Sequence, residues 1–171
     1  MHKVTLTLVS LLVTTSLGIA QPTTTAYRWT SANQCCTSEM KAGMLTKSMT
    51  LDGGKLAVGV ALKQVNDLLD LWVGIVTDHL TLDLKPNEFR IHIITPVGKE
   101  LAPIEDWKLS LLRIGNTVRL RKTTLNPGGI ANGYVVFPNE KQRESVVVEI
   151  PLNDLVLEFP FDFTNGSKTA R

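Results

Sequence analysis

The sequence predicts an all-β fold, a β-sandwich of about seven to eight strands with one short helix, on three observations. From Lys55 onward, apolar residues alternate with period two through most of the chain. Turn residues punctuate that alternation at short intervals, at Pro86-Asn87, Pro96-Val97-Gly98 and Asn126-Pro127-Gly128-Gly129. A single stretch has helical spacing, so strands and helices do not alternate as a parallel α/β sheet would require.

The strands follow in order. Leu56, Val58, Val60 and Leu62 alternate with Ala57, Gly59 and Ala61, which places one face in a core. Leu71, Val73 and Ile75 share one face of the next run, and Trp72, Gly74 and Val76 the other. A run apolar on both sides reads as a central strand with Trp72 packed in the core. Leu80, Leu82 and Leu84 alternate with Thr81 and Asp83, and Phe89, Ile91 and Ile93 with Arg90 and His92. From Pro103 to Ile114 the pattern changes. Ile104, Trp107, Leu111 and Ile114 recur at helical spacing. Pro103 suits the first turn, Glu105 and Asp106 suit the positive end of the helix dipole, and Gly115 suits its C-terminal cap. This predicts a short helix over 103–114, the alternative being a strand with Trp107, Leu109 and Leu111 inward.

Alternation returns with Val118 and Leu120 inward and Arg119 and Arg121 outward. Further strands are expected at Gly133–Phe137, Ser145–Ile150 and from Leu155 to Phe159 or beyond. These elements make an immunoglobulin-like β-sandwich over 55–163, followed by a polar tail at 164–171. Residues 21–54 read as a partly irregular lead-in, with a short helical turn between Glu39 and Lys47. In it, Tyr27 and Trp29 are aromatic residues in a polar setting, suited either to docking on the sandwich or to marking an interaction surface.

Residues 1–20 have the layout of a cleaved secretory signal. Lys3 supplies the positive end, Val4 to Val13 an apolar stretch too short to span a bilayer, and Gly18-Ile19-Ala20 a small-residue cleavage site. The expected product begins at Gln21 and works in the periplasm or outside the cell, without a membrane span.

The turn Leu125-Asn126-Pro127-Gly128, followed by Gly133-Tyr134-Val135-Val136-Phe137, resembles the secreted bacterial immunoglobulin-like domains of unknown function. In those domains a Pro-Gly turn leads into a Gly-x-Val-x-Phe strand, and a central strand ends in Asn where this chain has Val76-Thr77-Asp78. The resemblance implies the sandwich fold over 55–163 and brings no catalytic residues with it.

The formal charge of +2 gives no electrostatic reason to expect nucleic acid or an anionic membrane as partner. Nucleophilic catalysis finds little support: no Gly-x-Ser-x-Gly elbow is present, and nothing in their spacing selects Ser110, Asp78 and Asp83 as partners of His79 or His92. The expectation is a non-enzymatic binding module without cofactor, monomeric or dimeric, taking a protein or glycan partner. Its candidate contacts are the basic residues Arg113, Arg119, Arg121 and Lys122, together with the 126–132 loop.

Another reading centres on Cys35, Cys36, Met40, Met44 and Met49, soft ligands that outside the cytoplasm suit Cu(I) or redox chemistry. Cys35 and Cys36 are adjacent, so a disulfide between them would be strained and easily reduced; free thiols and bridges to another chain are the alternatives. His79 and His92 would approach each other if their strands paired across the Lys85–Glu88 turn.

Overall fold

The computed structural model describes residues 24–41, 44–65, 67–104, 118–140 and 145–163. The expected leader, the tail from 164 and most of the expected helix, with Arg113 and Ser110, lie outside them. Pro103 and Ile104, at the start of that stretch, are in no helix, and the Ile104 N–H donates to the Val136 carbonyl.

The described chain is all β. Its strands are β1 (Thr25–Arg28), β2 (Cys36–Lys41), β3 (Met44–Leu51), β4 (Leu56–Val65), β5 (Leu68–Thr77), β6 (Leu82–Leu84), β7 (Arg90–Ile93), β8 (Lys99–Leu101), β9 (Thr123–Leu125), β10 (Ile130–Pro138), β11 (Ser145–Leu152) and β12 (Leu155–Asp162). One sheet has the order β1-β12-β11-β7-β8, a second the order β10-β5-β4-β3-β2, and β6 pairs with β9 alone. All pairings within these sheets are antiparallel except that of β1 with β12.

Period-two alternation builds the core. Leu56, Val58 and Val60 of β4 and Leu71, Val73 and Ile75 of β5 face inward from one sheet. Ile91, Val148, Ile150, Leu157 and Phe159 face them from the other, and all belong to one buried cluster. Full burial of each such side chain contributes about 1.5–3 kcal/mol, which sets the register: a one-residue slip would turn the whole row to water.

The lead-in differs from expectation. Residues 36–41 and 44–51 form two paired strands, with Cys36 opposite Met49 and Lys41 opposite Met44, instead of a helical turn. Pairing of β3 with β4 from Thr46–Ala61 to Leu51–Leu56 supplies the reason. Cross-strand bonding overrides the weak helical preference of a segment carrying Thr46 and Gly43. Trp29 docks as expected, buried in the common core. Its indole N–H is shared between the carbonyls of Thr37 and Ser48, both at 3.2 Å. Val118 does not face inward. It is 64% exposed, while its neighbour Leu120 is buried.

Candidate functional site

Residues 118–120 run along β10, the edge strand of the second sheet. The Tyr134 N–H donates to the Val118 carbonyl (2.9 Å), and the Leu120 N–H donates to the Tyr134 carbonyl (3.0 Å). Gly133 permits this approach. A Cβ there would stand 2.5 Å from the Leu120 nitrogen and 2.8 Å from its Cα, closer than real side chains come. Leu120 turns into the core, so alternation sends Arg119 and Arg121 outward, and both are exposed.

Lys122 follows, on the wall of a shallow cleft of about 490 Å³ lined also by Asp83, Leu84, Lys85, Thr123 and Thr124. Within it the Thr124 hydroxyl donates to Asp83 (2.9 Å), and Lys85 pairs with Glu88 at 3.3 Å. Arg119, Arg121 and Lys122 differ from most of the other described cations. Arg28, Lys41, Lys55, Lys85, Arg90 and Lys99 each have a carboxylate within reach; among the described residues, these three have none. The structure thus gathers three of the four predicted basic residues, and Arg113 lies outside the description.

Arg119 bridges to Tyr134, which is opposite Trp72, which is opposite Ala61 and then Thr46. Paired residues point to the same face of a sheet, so this row runs across the face turned away from the core, accessible at its Arg119, Tyr134 and Trp72 end and buried at Ala61 and Thr46. The neighbouring row is Asn132, Gly74, Gly59 and Ser48. Trp72 is therefore half-buried on the outward face rather than packed in the core as its sequence context suggests. Its six-membered ring covers Gly74. A Cβ at Gly74 would meet the ring at 2.7 Å, and one at Gly59 would meet its edge at 3.6 Å. The alternation of Trp72 with Gly74 beside Gly59 was the available signal: small residues on one face leave a shelf on which a large ring can lie.

The soft ligands do not converge. Cys36 and Met49 are cross-strand neighbours facing the core, and the Cys35 and Cys36 sulfurs are 2.6 Å apart as free thiols. Met44 is five residues from Met49 on the same strand and so points to the opposite face. Met40 is 67% exposed and four residues along β2 from Cys36. The Cys36 contact raises the Cys35 thiol pKa above its ordinary value, and burial adds to the shift. No group of three or more His, Cys, Asp or Glu residues among those described is arranged to hold a metal ion.

The two histidines separate as well. β6 pairs with β9, whereas β7 pairs with β11 and β8, so the strands flanking the Lys85–Glu88 turn belong to different sheets. Leu82 and Leu84 sink into the core where β6 pairs with β9, a partner distant in the chain that the local sequence does not reveal. His79 is exposed, 3.8 Å from Asp78. His92 contacts Glu149 at 3.0 Å beside the cross-strand row Arg28, Glu158, Glu149 and Arg90.

No protein-family model matches this chain, and no curated protein is similar to it in sequence.

Proposed function

We propose that this protein is an exported, non-enzymatic binding module that takes an acidic partner through the segment Arg119–Lys122. One observation carries this reading: three exposed cations within four residues, none with a carboxylate partner among the described residues, on a backbone pinned to the edge of a sheet. Rigid backbone contacts on both sides of Arg119 reduce the ordering cost of binding. Unpaired guanidinium groups are suited to carboxylates, which they engage with two parallel hydrogen bonds. The layout of residues 1–20 supports the export part of this reading.

The scaffold is read as an immunoglobulin-like sandwich. The parallel pairing of the first described strand with the last, and the Asn126–Gly129 turn leading into β10, support that reading. The side-by-side run of four consecutive strands β2 to β5 is a departure from the order of immunoglobulin domains.

Retention on a heparin column at low ionic strength tests the function. Wild-type protein is expected to be retained and to elute with salt, and the triple variant Arg119→Glu, Arg121→Glu, Lys122→Glu to flow through. Equal retention of both proteins would remove this segment as the binding surface.

A further inference from the structure

We propose that the outward face of the second sheet, along Arg119, Tyr134 and Trp72, binds a carboxylate-bearing sugar such as a uronic acid within an oligosaccharide. The inference rests on the acidic-partner reading above and names the class of that partner. Four features of the face converge on it.

First, Trp72 lies over Gly74 and reaches Gly59, an arrangement that uses two consecutive small positions of that row. The ring is thereby held against the two glycines and remains partly exposed. A ring so placed offers an aromatic face of fixed orientation. The C–H groups on one side of a pyranose are weakly positive, and they are attracted to the negative face of an aromatic ring.

Second, Tyr134 is the direct cross-strand neighbour of Trp72, so two aromatic residues stand side by side across the sheet. Third, the adjacent row ends in Asn132 on one side and Ser48 on the other, with only glycines between them. The Trp72 ring fills the space over those glycines, so an amide and a hydroxyl stand at the two edges of an aromatic surface and match a ligand that carries hydroxyl groups around its rim. Fourth, Arg119 closes the aromatic row through its bridge to Tyr134 and has no carboxylate of its own. Arg119 and Trp72 are two strand spacings apart, roughly 10 Å. A short oligosaccharide can span that distance with one ring on Trp72 and a carboxylate at Arg119. An acidic peptide would satisfy the arginine but would leave the Trp72 ring unused.

The test titrates the secreted protein with galacturonate oligomers, followed by calorimetry and tryptophan fluorescence. The same oligomers with their carboxylates reduced to alcohols, and polyglutamate, serve as comparison probes. Wild-type protein is expected to bind the uronate oligomers with a change in fluorescence. Trp72→Ala should weaken that binding by about tenfold or more. Arg119→Gln should lower affinity for the uronate form toward that of the reduced form. Asn132→Ala, at an exposed position, gives a second reading that leaves the ring in place, and circular dichroism checks that each variant is folded.

If uronate binding is unaffected by Trp72→Ala and Asn132→Ala but lost in the triple reversal, the sugar inference fails and the acidic-partner reading stands. Polyglutamate binding as tight as that of the uronate oligomers, and equally indifferent to Trp72, would reassign the partner to acidic protein. Absence of uronate binding in folded wild-type protein overturns the inference, and absence of heparin retention as well removes the broader reading with it.

Discussion

The Lys47 ammonium stands 4.0 Å from the centre of the Trp29 ring, with Phe161 5.1 Å away on another strand. Lys47 faces the core side of β3 with Met49, is 8% exposed, and donates from Nζ to the carbonyl of Pro160 in β12. One side chain thus joins the two five-stranded sheets while its stem packs on aromatic carbon.

Burial lowers the pKa of Lys47 from its ordinary 10.5, with Asp162 opposing the shift. A lowered base means that, just below pH 10.5, the unfolded chain holds more protons than the folded one. Stability from this residue should therefore rise with pH between the lowered folded pKa and 10.5. Comparison with Lys47→Met isolates the effect from other titrating groups. The difference in unfolding free energy between the two proteins is expected to move in favour of wild type across that window. A constant difference would show that Lys47 titrates normally.

Asp70 carries the opposite sign. It lies near the start of β5 at 3% exposure, opposite Lys63 and Val136, and its Oδ1 accepts no hydrogen bond. Burial pushes its carboxyl up to about 6, with Lys63 pulling the other way. The folded protein then binds the extra proton between the ordinary pKa of 3.8 and about 6, so stability falls as pH rises through that range. In Asp70→Asn the loss should be absent. The gap between variant and wild type should shift toward the variant by on the order of 2–3 kcal/mol from pH 3.5 to 7. Urea unfolding at several pH values measures it, and parallel curves would refute the assignment.

Gly133→Ala is expected to cost about 1–3 kcal/mol, because the new methyl group meets the backbone of Leu120. The damage should be local first. Hydrogen exchange at the Leu120 amide, bonded to the Tyr134 carbonyl, should quicken more than exchange within β4 or β5. Uniform acceleration across the second sheet would mean that the segment is not held by this contact.

The Cys35–Cys36 pair predicts slow chemistry. Cys36 is buried and the Cys35 pKa is raised, which keeps that thiol in its unreactive protonated form. Alkylation by iodoacetamide at pH 8 should be slower in the native protein than in urea for both residues. Equal rates would show that neither the burial nor the contact protects them.

How far the fold could be read from residues follows from where the apolar faces lie. Leu56 to Leu62, Leu71 to Ile75 and Phe89 to Ile93 each bury one face, and their alternation carries the inward phase directly. β2 gives no such signal. After Cys36 every residue is exposed, so the strand is held by its pairing with β3 rather than by a buried face. Trp72 misleads for a related reason: an apolar residue lying on glycines of its own sheet has the sequence appearance of one in the core. At the candidate site, the outward phase of Arg119 and Arg121 could be read from Leu120, but the neighbourhood of Arg119, Tyr134 and Trp72 joins segments far apart in the chain. Spacing cannot express that, because it depends on the parallel bridge along β10.

The pairing of β1 with β12 has a mechanical consequence. The two run parallel, Thr25 beside Leu155 and Arg28 beside Glu158, and they are the first and last strands described. Tension along the chain from both sides draws β1 toward its beginning and β12 toward its end, so the strands are pulled past each other lengthwise. Their hydrogen bonds, which lie across that direction, bear the load together instead of opening one at a time as they would in a peeled hairpin. Stretched between two attachment points, the protein resists at this seam first.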